Sequence, residues 1–223
     1  MTSLSGKRIV VAGGTGDVGA GIVESLLKAG ARVVVPVRSR AKGERLAGDL
    51  GHPEGLILAD GEFGPGEPSA ALMRTILAHG PIDGAVASLG GWWQGAPLTQ
   101  VPSSDWDGML RNNLTSHLLA AQALLPALAG RSPFVQILGA AAEYPIPGSG
   151  PISITAAAVG MMGRVLAAEG ALVRQVMIAA FVSTRTRRSD DPGWIGVEEV
   201  GAAVTGLIAD PGEAMMLTLP PRG

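Results

Sequence analysis

The sequence predicts an α/β fold: a doubly wound parallel sheet with helices on both faces. Three observations carry that prediction. Strand-like apolar runs alternate with helical patterns along the chain. Those runs are continuously apolar rather than alternating, as expected of strands buried on both faces. A glycine-rich loop stands between the first strand and the first helix. Right-handed crossovers then give three layers, α/β/α, in a single domain spanning 1–223.

Each element has its own signal. Lys7–Gly13 reads as a strand from its β-branched run, and Asp17–Ala29 as a helix with Val18, Ile22, Leu26 and Ala29 on one face. Arg32–Val37 is a second strand and Arg40–Leu50 a charged helix. Leu56–Ala59 is a short strand, and Ser69–His79 a helix closed by Gly80-Pro81. Gly84–Ser88 and Phe134–Leu138 read as strands flanking a long helix, Ser104–Ala129. A second long helix, Ile152–Gly170, leads to strand Val173–Phe181. Helix Val197–Ala209 and strand Ala214–Leu219 close the pattern. The longest irregular stretches, Ala140–Pro151 and Ser183–Gly196, follow strands that should end at the ligand edge of such a sheet.

Composition narrows the function. The 223 residues are 47% hydrophobic and 16% charged, so much of the chain belongs in a core or an oligomer interface. A net charge of -2 gives no footprint for nucleic acid or an anionic membrane. The absence of cysteine excludes disulfides and thiolate metal sites, and His52, His79 and His117 lack metal-ligand spacing, so no metal is expected. The uncharged stretches Asn112 to Gly130 and Tyr144 to Gly163 contain polar residues or prolines and do not read as bilayer helices. With no signal peptide visible, a soluble cytoplasmic protein is expected.

The loop Gly13-Gly14-Thr15-Gly16-Asp17-Val18-Gly19 holds the main functional signal. Gly13 permits a tight turn, Gly16 lets a phosphate approach the backbone, and Gly19 lets the helix pack close to the strand. The helix that follows offers unpaired N–H groups to a pyrophosphate. Asp17 is an awkward neighbour for a phosphate unless it points away; there it supports the helix N-terminus. The second strand ends in Val37-Arg38-Ser39-Arg40. An Arg at that edge suits a 2′-phosphate, so NADP(H) is expected over NAD(H).

From these landmarks onward the chain resembles the short-chain dehydrogenase/reductase family. Asp60 closes the third strand, where that family often places an Asp near the adenine. Ser88-Leu89-Gly90-Gly91 stands where the family has Asn-Asn-Ala-Gly, with Gly90 matching. Asn113, in Arg111-Asn112-Asn113-Leu114, falls on its structural and catalytic Asn. The resemblance also implies departures. Gly139 stands at the catalytic Ser, Ile152 at the Tyr and Ala156 at the Lys; the family's Pro-Gly turn is missing from Ala179-Ala180-Phe181-Val182-Ser183-Thr184. In the family the Tyr supplies a proton to the developing alkoxide, the Lys tunes it, and the Ser bonds the carbonyl oxygen.

Several residues stand as substitutes. Tyr144, the only tyrosine, follows Glu143 beside the expected site and is either a proton donor or packing at the pocket mouth. Ser149, Ser153 and Thr155 are hydroxyl donors or helix-start polar groups. Trp92 and Trp93 read equally as a substrate wall or an oligomer contact. His117, one turn after Asn113, reads as a pocket group or a satisfied interface histidine. The resemblance implies a homodimer or homotetramer through the helices 104–129 and 152–170, and a small-molecule substrate or effector. Three functions follow: a divergent oxidoreductase, a non-catalytic NADP-binding sensor or partner subunit, and a cofactor-free lyase or isomerase.

Overall fold

The structure, a computed structural model, describes residues 3–64 and 66–221. Seven parallel strands form the main sheet in the order β3-β2-β1-β4-β5-β6-β9. They are β1 (Arg8–Ala12), β2 (Arg32–Val37), β3 (Leu56–Asp60), β4 (Gly84–Ala87), β5 (Phe134–Gly139), β6 (Val173–Ile178) and β9 (Met216–Leu219). The expected doubly wound α/β fold is therefore present, with the strand order reversing between β1 and β4.

Strand alternation divides the core. On β1, Ile9 and Val11 face one helical layer while Val10 and Ala12 face the other. The first layer holds α1 (Asp17–Lys28), α2 (Arg40–Asp49) and α7 (Val197–Ala209). Its central contact is α1 on α7, and glycines make it close. A Cβ on Gly21 would fall 2.2 Å from Val197, and one on Gly201 would fall 2.6 Å from Ser25. The second layer holds α3 (Glu67–Ala78), α5 (Ser116–Leu124) and α6 (Gly150–Ala168).

Several element ends differ from the sequence reading. The helix expected over 104–129 runs on without a break in helical backbone but is not α-helical throughout. It runs as α4 (Ser103–Leu110), a π-helical turn at Arg111–Thr115, and α5, followed by a 3₁₀ turn at Leu125–Ala127. Pro126 removes an N–H donor at that end, and Ser116 Oγ donates to the Asn112 carbonyl at 2.7 Å, a back-bond that bends helices. The helix expected from Ile152 begins earlier, at Gly150, because Pro151 is tolerated in a first turn. The strand expected over 173–181 stops at Ile178. Beyond it, β7 (Val182–Ser183) pairs with β8 (Ile195–Gly196), so the stretch 183–196 is a tied excursion rather than wholly irregular.

Helix α6 alone among the described residues is long and apolar enough to cross a membrane by length and composition. It lies against β5 and β6, where Val159 packs with Leu138 and Met177. Beneath it, Gln175 Nε2 donates to Gln136 Oε1 at 3.0 Å and to the Gly160 carbonyl at 3.1 Å.

Candidate active site

Reversal of strand order between β1 and β4 opens a crevice at the carboxyl ends of the strands. The loop after β1 is packed tightly there. Gly13 has φ +81°, and a Cβ on it would fall 2.0 Å from the Ser88 carbonyl oxygen at the end of β4. A Cβ on Gly19 would fall 2.1 Å from the Gly13 carbonyl oxygen. These two glycines are demanded by the chain's own packing. Gly16 differs: it is exposed, its φ is -81°, and only the Gly13 oxygen, at 3.3 Å, lies near its missing Cβ.

Gly16 is also the N-cap of α1, and its carbonyl accepts the N–H of Ala20 at 2.8 Å. The N–H groups of Asp17, Val18 and Gly19 have no partner among the described residues. Unpaired amides at the positive end of a helix suit a diphosphate. The Asp17 side chain is exposed in the first turn, and Thr15 is half-buried beside it.

The strand ends beyond α1 carry a charged cluster. Val37 pairs in register with Asp60, which sets Arg38 beside the turn after β3. Arg38 Nη1 lies 3.6 Å from Glu62 Oε2. Arg40 reaches Glu44 at 2.9 Å and Asp60 at 3.8 Å. Arg38 and Asp60 are thus brought to one edge, as the sequence placed them. Glu62 was missed, although its place two residues after a strand-ending Asp was the available signal.

On the other side of the crevice, the loop after β4 is held by the π-helical turn. Asn113 Nδ2 donates to the Gly91 carbonyl at 2.9 Å, and its Oδ1 accepts the Gly91 N–H at 3.1 Å. Gly90 between them and β4 has φ +102°, and a Cβ there would sit 3.1 Å from Asn113 Cγ. One turn later, His117 Nε2 lies 3.3 Å from the Leu89 carbonyl oxygen. His117 is 2% exposed, and burial pushes its pKa down to about 4 against the pull of that carbonyl. The neutral ring therefore carries its proton on Nε2, while buried Nδ1 has no partner among the described residues.

The two tryptophans separate. Trp92 is exposed, whereas the Trp93 indole donates to Asp105 Oδ2 at 3.1 Å at the start of α4. The same loop reaches the segment that leads into α6, where the Gly95 N–H donates to the Gly148 carbonyl at 2.8 Å. Gly139 ends β5 with open space around its missing Cβ. Ile152 is buried at 7% exposure, and Ala156 follows one turn on. Tyr144 lies in the loop after β5 at 65% exposure, and its hydroxyl has no hydrogen-bond partner among the described residues. Ser153 Oγ accepts the Ile146 N–H, Thr155 Oγ1 donates to the Pro151 carbonyl, and buried Ser149 Oγ has no partner among the described residues.

A 430 Å³ cavity elsewhere lies between α1, α7 and residues 183–190, and a 610 Å³ cavity lies at the opposite edge beside Arg131 and Arg174. Neither borders the glycine loop.

Residues 7–191 match the short chain dehydrogenase family. The chain belongs to that family. Short-chain dehydrogenases are NAD(P)-binding oxidoreductases, and the curated relatives share that general class. The chain is 26% identical over 199 residues to an uncharacterized oxidoreductase of Staphylococcus haemolyticus, covering 86% of each protein. It is 31% identical over 167 residues to a cis-2,3-dihydrobiphenyl-2,3-diol dehydrogenase of Pseudomonas, spanning 71% of this chain and 59% of that enzyme. Among solved structures, a short-chain dehydrogenase/reductase of Mycobacterium ulcerans superposes with a TM-score of 0.85 at 23% identity, covering 97% of this chain and 88% of that one. An alcohol dehydrogenase of Thermococcus sibiricus, complexed with 5-hydroxy-NADP, superposes with a TM-score of 0.81 at 20% identity over 96% of both chains.

Proposed function

We propose that this short-chain dehydrogenase binds NADP(H) and lacks the family's Ser–Tyr–Lys proton relay. The observation that carries the reading is Ile152. The resemblance matches it to the family's proton-donating Tyr, yet it is an apolar side chain at 7% exposure. Gly139 supplies no hydroxyl, and α6 contains no lysine. General acid catalysis contributes about 10²–10⁴-fold, so ordinary ketone reduction should be close to lost.

Dinucleotide binding is supported by different atoms. The amides of Asp17, Val18 and Gly19 would hold a pyrophosphate at the exposed backbone of Gly16, with Gly13 and Thr15 shaping the turn. Arg38 would take a 2′-phosphate, Asp60 would lie near the adenine, and Gly90 would line the far side. When bound, the nicotinamide supplies hydride chemistry. The chain's own contribution is to bind and orient it, with Asn113 fixing the loop on that side and Tyr144 the one tyrosine able to give a proton.

A second reading, a non-catalytic NADP-binding sensor or partner subunit, is favoured by the burial of Ile152. A stripe on α6, Ile154, Met161 and Val165, is exposed, as is Leu118 on α5. The spacing puts the three α6 residues on one helix face, which supports assembly as a homodimer or homotetramer.

Titration with NADPH and NADH, read by cofactor fluorescence, tests the proposal. Saturable NADPH binding tighter than NADH is expected, with turnover absent or dependent on Tyr144. Failure of both dinucleotides to bind removes it. Rapid carbonyl reduction that persists in Tyr144→Phe would instead remove the missing relay.

A further inference from the structure

We infer that Glu62 is a specificity-determining residue of the dinucleotide site, an internal carboxylate that occupies Arg38 and opposes a 2′-phosphate. The inference rests on the dinucleotide reading above and adds a residue that works against it.

The placement follows from strand register. Val37 pairs with Asp60, and the Gly61 N–H donates to the Val37 carbonyl at 2.9 Å. That hydrogen bond ties the turn after β3 to the end of β2. Gly61 has φ +135°, which few side-chain-bearing residues adopt, and Leu72 lies 3.4 Å from its missing Cβ. The turn is therefore fixed by a backbone bond and by packing, and Glu62 emerges from it facing Arg38 at 3.6 Å.

Charge decides what this does. Arg38 and Arg40 share their edge with Glu62, Asp60 and Glu44, so two guanidinium groups meet three carboxylates. A 2′-phosphate brings further negative charge into that cluster. It must displace Glu62 from Arg38 and then sit beside the displaced carboxylate. A ribose with a free 2′-hydroxyl meets neither cost. Glu62 therefore narrows the margin by which Arg38 favours the phosphorylated dinucleotide. The groups are well exposed, with side-chain exposures of 72% for Arg38 and 58% for Glu62, so the effect is modest and salt-dependent.

The test is calorimetric titration of wild-type protein, Glu62→Gln, Arg38→Gln and the double variant with NADPH and NADH at low salt, each checked by thermal unfolding. Glu62→Gln keeps the side-chain size and removes the charge. NADPH affinity is expected to rise on the order of 3- to 10-fold, with NADH affinity unchanged. In the Arg38→Gln background most of that gain should disappear, because the competing pair is gone. An unchanged NADPH-to-NADH ratio in Glu62→Gln, with both dinucleotides binding wild type, overturns the role of Glu62 alone. No binding of either dinucleotide to any variant overturns the dinucleotide reading and this inference together.

Discussion

Asn113 grips Gly91 at both of its backbone polar groups, donating to the carbonyl at 2.9 Å and accepting from the N–H at 3.1 Å. The side-chain amide acts as a neighbouring strand would, supplying both partners to a loop that has left the sheet. The π-helical turn at Arg111–Thr115 sets that amide at the loop, and such turns are frequent at functional sites.

Replacing Asn113 should therefore loosen the loop before it affects the core. Asn113→Ala removes two hydrogen bonds and should cost about 1–3 kcal/mol. Asn113→Asp keeps the acceptor toward the Gly91 N–H but turns the donor into an oxygen facing the Gly91 carbonyl. The Gly91 amide should exchange faster with solvent in Asn113→Ala. An exchange rate equal to wild type would show that the loop is held by other contacts.

His117 gives the fold a pH dependence. Its folded pKa is near 4 against 6.5 for the free side chain, mainly because burial disfavours the charged ring. Between those values the unfolded chain binds the proton more tightly than the folded one. The stabilisation is thus complete above pH 6.5, declines as pH falls, and is gone below about 4. The span corresponds to roughly 3 kcal/mol. Urea unfolding from pH 7 to pH 4 should show this decline, and His117→Gln should flatten it. Equal slopes for the two proteins would remove His117 as its source.

Helix α6 offers a paired test on two glycines one turn apart. A Cβ at Gly163 would fall 2.2 Å from both Gln136 Oε1 and Gln175 Nε2, inside a fully buried amide pair. Gly163→Ala should destabilise the protein by about 1–3 kcal/mol. A Cβ at Gly160 would meet only Leu138 Cδ1, at an ordinary 3.7 Å. Gly160→Ala should stabilise by roughly 0.5–1 kcal/mol through helix propensity. Opposite shifts in Tm are the expected result.

The fold was legible because its signals are local and repeated. Runs such as Val33-Val34-Val35 have no helical face to offer, and Gly13 to Gly19 sits where a strand becomes a helix. What escaped the sequence depends on register and tertiary contact. Nothing near Asn113 in sequence announces that Gly91 will lie against it. The Arg38–Glu62 pair exists because Val37 aligns with Asp60. The sequence allows His117 a satisfied interface role; the structure gives it one carbonyl partner and an Nδ1 unpaired among the described residues. The stretch 183–196 escaped because Arg185 anchors it to the Asp49 carbonyl at 2.7 Å and to Glu24 at 2.8 Å, residues on different helices.

The glycine loop separates folding from binding in two substitutions. Gly13→Ala places a methyl group 2.0 Å from the Ser88 carbonyl oxygen on a residue at φ +81°. Neither the backbone of β4 nor the turn can yield cheaply, so this variant should lose stability by several kcal/mol. Gly16→Ala meets only the Gly13 oxygen at 3.3 Å and has an ordinary φ of -81°. The fold should accept it with a shift of a few tenths of an ångström, on the order of 1 kcal/mol or less. The methyl group would nonetheless stand at the exposed backbone where a pyrophosphate must approach. Gly16→Ala is therefore expected to keep a near-native Tm and lose NADPH binding by tenfold or more, a drop of about 1.4 kcal/mol. A Gly16→Ala protein that melts normally and binds NADPH as wild type does would place the dinucleotide away from the α1 N-terminus.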